Sequence, residues 1–138
     1  MGLDQYAYAR PPRKRNSDAD ECITEWRKHN RLQGFMTELW HAKGCPNCSD
    51  DNPEELNCVE LPITREDLDT MEAAIDERAF PQADGFFWGG DSYCWDKNAH
   101  ATDQIQQDYY YLEHDKQFVR DARYMLNEGW RVFYSCWY

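Results

Sequence analysis

Trp130-Arg131-Val132-Phe133-Tyr134-Ser135-Cys136-Trp137-Tyr138 closes the chain, directly after Gly129. Its β-branched and aromatic content is that of a strand, and the glycine ahead of it is a natural helix stop. We read it as a central strand, with the C-terminus held in the fold or at a subunit contact. It ends a proline-free stretch from Gly85 onward that holds four of the six tryptophans and therefore supplies much of the buried area.

Working back, Asp103 is a plausible cap for a long helix that carries Ile105, Tyr109, Leu112, Phe118, Val119, Ala122, Met125 and Leu126 inward and stops at Gly129. A slip in register between Glu113 and Gln117 predicts a bend there. Gly85-Phe86-Phe87-Trp88 reads as a strand, and Gly89-Gly90-Asp91 as a tight turn leading to a hairpin partner, Ser92-Tyr93-Cys94-Trp95. Thr64 and Asp67 form a capping box for a helix whose stripe is Leu68, Met71, Ala74 and Ile75. Cys58-Val59-Glu60-Leu61 is a short strand stopped by Pro62.

The next helix back begins at Asn30, with Leu32, Phe35, Met36, Leu39 and Trp40 on one face, and is closed by Gly44. Glu21 to Lys28 is open between strand and helix. Gly2 to Ala9 is a first strand, with Tyr6 and Tyr8 on one face and Leu3, Ala7 and Ala9 on the other. Exposed loops are expected at 10–20 and 45–57. The order predicts a single α+β domain over 1–138, an antiparallel or mixed sheet of four to five strands covered on one face by about three helices.

Net charge is −11, from 26 acidic and 15 basic residues among 138. Such a surface repels phosphate backbones and argues against general nucleic-acid binding. No apolar run approaches the roughly 20 residues of a membrane span, and Met1-Gly2-Leu3-Asp4 is unlike a signal peptide, so a soluble, cytoplasmic protein is expected. In that setting the six cysteines are expected as reduced thiols, with a metal site as the exception.

Three groups of residues suggest chemistry. Trp26, Arg27, Lys28, His29 and Arg31 place cations and a ring beside free helix N–H groups, a seat for phosphate with a face for a base; surface ion pairs around a core Trp26 would give the same pattern. Trp88, Asp91, Ser92, Tyr93 and Trp95 put rings and hydroxyl or carboxylate groups around a Gly-Gly turn, which suits a nucleoside but is also an ordinary hairpin. Cys45-Pro46-Asn47-Cys48 is a CxxC, and His41 and Cys58 lie near enough in sequence to complete a four-ligand zinc site. No cofactor other than zinc is implied. Neither a nucleophile elbow nor a carboxylate pair is evident. His100 and His114 stand near Asp103 and Asp115, but spacing alone does not bring them together.

The segments Met1-Gly2-Leu3-Asp4-Gln5-Tyr6-Ala7-Tyr8, Trp26 to Met36, Asn57-Cys58-Val59-Glu60-Leu61, Gly85-Phe86-Phe87-Trp88, Gly90-Asp91-Ser92-Tyr93 and Tyr134-Ser135-Cys136-Trp137 resemble, in the same order, a group of short tailed-phage proteins labelled phosphoglycerate kinase. A chain of 138 residues cannot build the two large domains of that kinase. The resemblance implies a phage accessory protein. Counter-defence sponges, which sequester cyclic-nucleotide immune signals, are similar in size and character. The leading expectation is therefore a non-catalytic, homo-oligomeric binder of a small phosphorylated nucleotide. The alternatives are a small nucleotide-cleaving enzyme using His29 or His100 as acid or base, and an acidic inhibitor of a host protein.

Overall fold

A computed structural model describes residues 2–13, 19–83, 85, 88, 90–93 and 109–138. Four strands and three helices follow in the order β1 (Asp4–Arg10), β2 (Glu21–Arg27), α1 (Asn30–Ala42), β3 (Leu61–Ile63), α2 (Arg65–Glu77), α3 (Leu112–Asn127) and β4 (Arg131–Trp137). The strands form one sheet in the order β2-β1-β4-β3, antiparallel throughout. The closing segment thus lies inside the sheet, between β1 and β3.

Alternation along β1 and β4 sets the layers. Ala7, Ala9, Val132, Tyr134 and Cys136 join Leu61 and Ile63 in one core with Leu32, Met36 and Trp40 of α1, Leu68, Met71 and Ile75 of α2, and Phe118, Val119 and Ala122 of α3. The fold is therefore an α+β sandwich, with the helices packed on the sheet face those residues share. The opposite face carries Tyr8 stacked on Phe133 at 5.6 Å, with the Arg10 guanidinium 4.6 Å above the Phe133 ring.

Glu21 to Arg27, open between two readings in the sequence, is a strand, because it pairs with β1 from Asp4↔Arg27 to Ala9↔Glu21 with an irregularity at Ala7/Tyr8. Pro62 does not stop a strand: it lies within β3, opposite Phe133. An edge strand tolerates proline, since its outward side needs no ladder donor. At the other edge, the Tyr111 hydroxyl accepts from Arg27 N (3.3 Å) and donates to Arg27 O (2.6 Å).

The Thr64–Asp67 capping box of α2 forms in both directions. In α1 the cap falls one residue earlier than the sequence suggests: His29 is the N-cap, and Asn30 is the first helical residue. The last helix begins at Leu112 and runs unbroken to Asn127, so the break expected between Glu113 and Gln117 does not occur; Asp103 and Ile105 lie outside the described residues, as do Lys14, Arg15, Phe86, Phe87, Gly89, Cys94, Trp95 and His100. Gly85, Trp88 and Gly90 to Tyr93 are not in strands: Trp88 and Gly90 are bends, and Ser92 and Tyr93 form a turn. In the two expected loops, Arg10 and Leu56 are buried, while most of the residues described between 45 and 57 are exposed or half-buried.

At Gly34, α1 passes close against the segment at Pro81. A Cβ there would stand 2.5 Å from the Pro81 carbonyl oxygen and 3.2 Å from its carbon. Backbone cannot rotate aside as a side chain can, so overpacking outweighs the better helix propensity of alanine. Gly34→Ala is expected to lower stability by about 1–3 kcal/mol, read from the midpoint of urea denaturation.

Candidate functional site

The two nucleotide-binding candidates of the sequence meet in space. Arg31 on α1 forms a bidentate pair with Asp91 (Nε–Oδ1 2.8 Å, Nη2–Oδ2 2.7 Å), donates to the Phe80 carbonyl at 3.1 Å, and lies 4.7 Å over the Tyr93 ring. One residue before the helix, His29 reaches Ser92: Nδ1 is 2.8 Å from Oγ. Asn30 clamps the same turn, its Oδ1 accepting from Ser92 N at 2.8 Å while its Nδ2 donates to the Ala83 carbonyl at 3.0 Å.

Hydrogen bonding by Arg31 holds the Asp91 carboxyl below its ordinary pKa, helped by the Tyr93 N–H and opposed by partial burial. A depressed folded-state pKa contributes stability that is present above the ordinary carboxylate range and lost as pH falls through the folded value. Asp91→Asn is accordingly expected to flatten the acid limb of the stability profile below about pH 4, by about 1 kcal/mol, in thermal melts run as a pH series.

Behind this turn lies a buried polar hub. Asp115, on the first turn of α3, accepts from Trp26 Nε1 at 2.8 Å, from the Tyr109 hydroxyl, and pairs with His29 Nε2 at 2.7 Å. Both Asp115 and His29 have no exposed surface. Burial and then the Asp115 carboxylate push the Tyr109 hydroxyl far above its ordinary pKa, so it remains a donor. The polar interior continues across the sheet: Gln5 Oε1 accepts from His29 N at 2.9 Å, and Gln5 Nε2 donates to Tyr134 Oη at 3.0 Å.

These contacts separate the residues of the cationic cluster. Trp26 is core, 3% exposed, with its ring edge-on to Phe118 at 5.1 Å. His29 is sealed, and Arg31 is engaged by Asp91. Arg27 and Lys28 remain at the surface; the Arg27 side chain is 66% exposed and 3.9 Å from Asp4. The reason is β2, whose register turns Trp26 inward and Arg27 outward. Arg27 borders a cleft of about 520 Å3 whose described lining is Asp4, Tyr6, Glu25, Trp26, Arg27 and Tyr111. Tyr111 forms its wall twice over: its hydroxyl holds the Arg27 backbone, and its ring stacks on His29 at 4.5 Å.

Trp88 lies apart from this group, edge-on to Tyr138 at 5.4 Å and folded back on Gly85, where a Cβ would meet its indole at 2.4 Å. Trp95 is outside the described residues. The proposed zinc ligands do not assemble. His41 Nδ1 and Cys45 Sγ meet at 3.4 Å, but Cys58 is held elsewhere, its N–H bonded to the Cys136 carbonyl and its thiol turned to Asn57. Among the described residues, no three His, Cys, Asp or Glu side chains converge as a metal site.

Asp115, Tyr109, Tyr111, Asn30 and Glu25 come from four different elements or connections. The sequence offered Asn30 as a helix cap, Tyr109 as a core ring and Asp115 as a neighbour of His114, but its spacing brought none of them to His29 or to the cleft. The fold and site define a two-layer α+β domain with a ring-lined cleft at the β2 edge of its sheet. No family model matches the chain, and neither the curated proteins nor the solved structures contain a significant match.

Proposed function

We propose that the protein binds a small phosphorylated nucleotide in the cleft beside β2 and holds it intact, acting as a phage counter-defence sponge. The observation that carries this reading is the mixed lining of that cleft: rings from Tyr6 and Tyr111, one exposed cation from Arg27, and carboxylates from Asp4 and Glu25. Each suits one part of a nucleotide. A base is flat and stacks on tyrosine; its N–H groups and the ribose hydroxyls are donors that carboxylates accept; a phosphate pairs with guanidinium. Lys28, next in sequence, is exposed as well. The resemblance of the Trp26 to Met36 segment to short tailed-phage proteins supports the biological setting.

Holding rather than cleaving fits the position of His29, which Tyr111 and Asp115 enclose away from the cleft. Calorimetric titration with cyclic and linear nucleotides is expected to find at least one ligand with micromolar affinity, and chromatography to return it unchanged. Arg27→Glu is expected to weaken that ligand about tenfold or more, equivalent to about 1.4 kcal/mol. Absence of heat across the panel up to millimolar concentrations removes the nucleotide reading. Recovery of a cleaved product replaces the sponge with the enzyme.

A further inference from the structure

Ser92, His29 and Asp115 form a continuous hydrogen-bonded chain: Oγ to Nδ1 at 2.8 Å, and Nε2 to Oδ2 at 2.7 Å. The three come from the turn after Gly90, the cap of α1 and the first turn of α3. Polarity along the chain follows from its neighbours. Asp115 already takes donors from Trp26 and Tyr109, as a carboxylate does, so His29 gives it the Nε2 proton. That leaves the Nδ1 lone pair facing the serine, and the Leu32 N–H directed at the same nitrogen from 3.4 Å also requires an acceptor there.

The serine proton therefore has two acceptors: Nδ1, and Asn30 Oδ1 at 3.0 Å. Oγ donates inward, and among the described residues no group donates to its lone pairs. Burial also differs along the chain. His29 and Asp115 are fully enclosed, whereas Ser92 keeps 8% of its surface. A base shut off from water, an orienting carboxylate behind it and a hydroxyl at the margin are the parts of nucleophilic catalysis. Serine meets Nδ1 here and aspartate Nε2; the two imidazole nitrogens are interchangeable in these roles as long as one carries the proton and the other the lone pair.

We propose that Ser92 is an activated nucleophile that attacks small electrophilic esters, with His29 as its base and Asp115 as the positioning residue. In the acylation step the Ser92 Oγ–carbon bond forms while its proton passes to His29 Nδ1. The ester C–O bond breaks, and the alcohol leaves with that proton. Water then attacks the acyl-serine, giving its proton to Nδ1, and the carboxylic acid departs as the proton returns to Oγ. Asp115 keeps its hydrogen bond to Nε2 throughout and steadies the ring. Because Ser92 does not line the cleft beside β2, this reactivity stands on different residues from the nucleotide reading.

A fluorophosphonate probe, which forms an Oγ–P bond and releases fluoride, tests the proposal on the full chain. Intact mass and peptide mapping are expected to find one adduct, on Ser92, formed about a hundredfold faster in the folded protein than in urea. Ser92→Ala, which removes only the hydroxyl, is expected to abolish it. Asp115→Asn is expected to slow labelling about tenfold or more while circular dichroism retains the folded signature; if that variant unfolds, the comparison of native with urea-treated protein decides. The proposal is overturned by no adduct on Ser92, by an adduct elsewhere only, or by equal rates in folded and unfolded chains.

Discussion

Asp115→Ala is expected to lower the unfolding free energy by about 3–5 kcal/mol, the largest loss of any single polar substitution in this protein. The reasoning starts from what the carboxylate leaves behind. Three donors, Trp26 Nε1, His29 Nε2 and the Tyr109 hydroxyl, converge on it. Trp26 and Tyr109 are 3% and 5% exposed, and His29 is wholly enclosed, so water cannot easily replace the lost acceptor. The damage also reaches beyond α3, since His29 caps α1 and Trp26 anchors β2. Asp115→Asn keeps the volume and one acceptor oxygen, and should cost less than the alanine change. Urea denaturation followed by tryptophan fluorescence measures both; an alanine variant within about 1 kcal/mol of the parent would mean that the hub contributes little.

Trp40→Ala is expected to be of similar size, about 3–5 kcal/mol, for a different reason. The indole is fully buried at the far end of α1, and its removal opens a cavity that the surrounding Leu, Met and Ile side chains can fill only in part. It has a second function. Trp40 Nε1 donates to the Pro46 carbonyl at 2.9 Å, and the Trp40 carbonyl accepts from Cys45 N at 2.9 Å. The Cys45 to Cys48 turn is thus fastened to the helix from both ends of one residue. Trp40→Phe retains most of the buried ring and loses the turn contact, so it should be milder. Faster alkylation of Cys45 in Trp40→Phe, with stability changed by less than in Trp40→Ala, would separate the two contributions.

Helical periodicity and capping were legible in the sequence because they are local. The Thr64–Asp67 box and the Leu68, Met71 and Ile75 stripe depend on residues a few positions apart, and α2 forms with both. β4 was legible from composition. The phase of α1 was less so: Asn30 is a good cap residue, but its side chain is drawn to Ser92 and Ala83, and His29, held by Gln5, takes the cap position. β2 was ambiguous because Glu21 to Arg27 has neither clear period; its pairing with β1 decides it. The site was legible only in part. Sequence singled out His29, Arg31, Asp91 and Ser92 in two groups, and tertiary structure joins them. The carboxylate that orients His29 lies 86 residues away, a separation that no spacing rule can bridge.

Pro62 in β3 and the Tyr111 hydroxyl across the Arg27 backbone occupy the two margins of the sheet. Each interferes with docking of a further chain by main-chain pairing, the route by which exposed margins seed fibrils. An acidic chain is thereby guarded at both flanks against runaway templating.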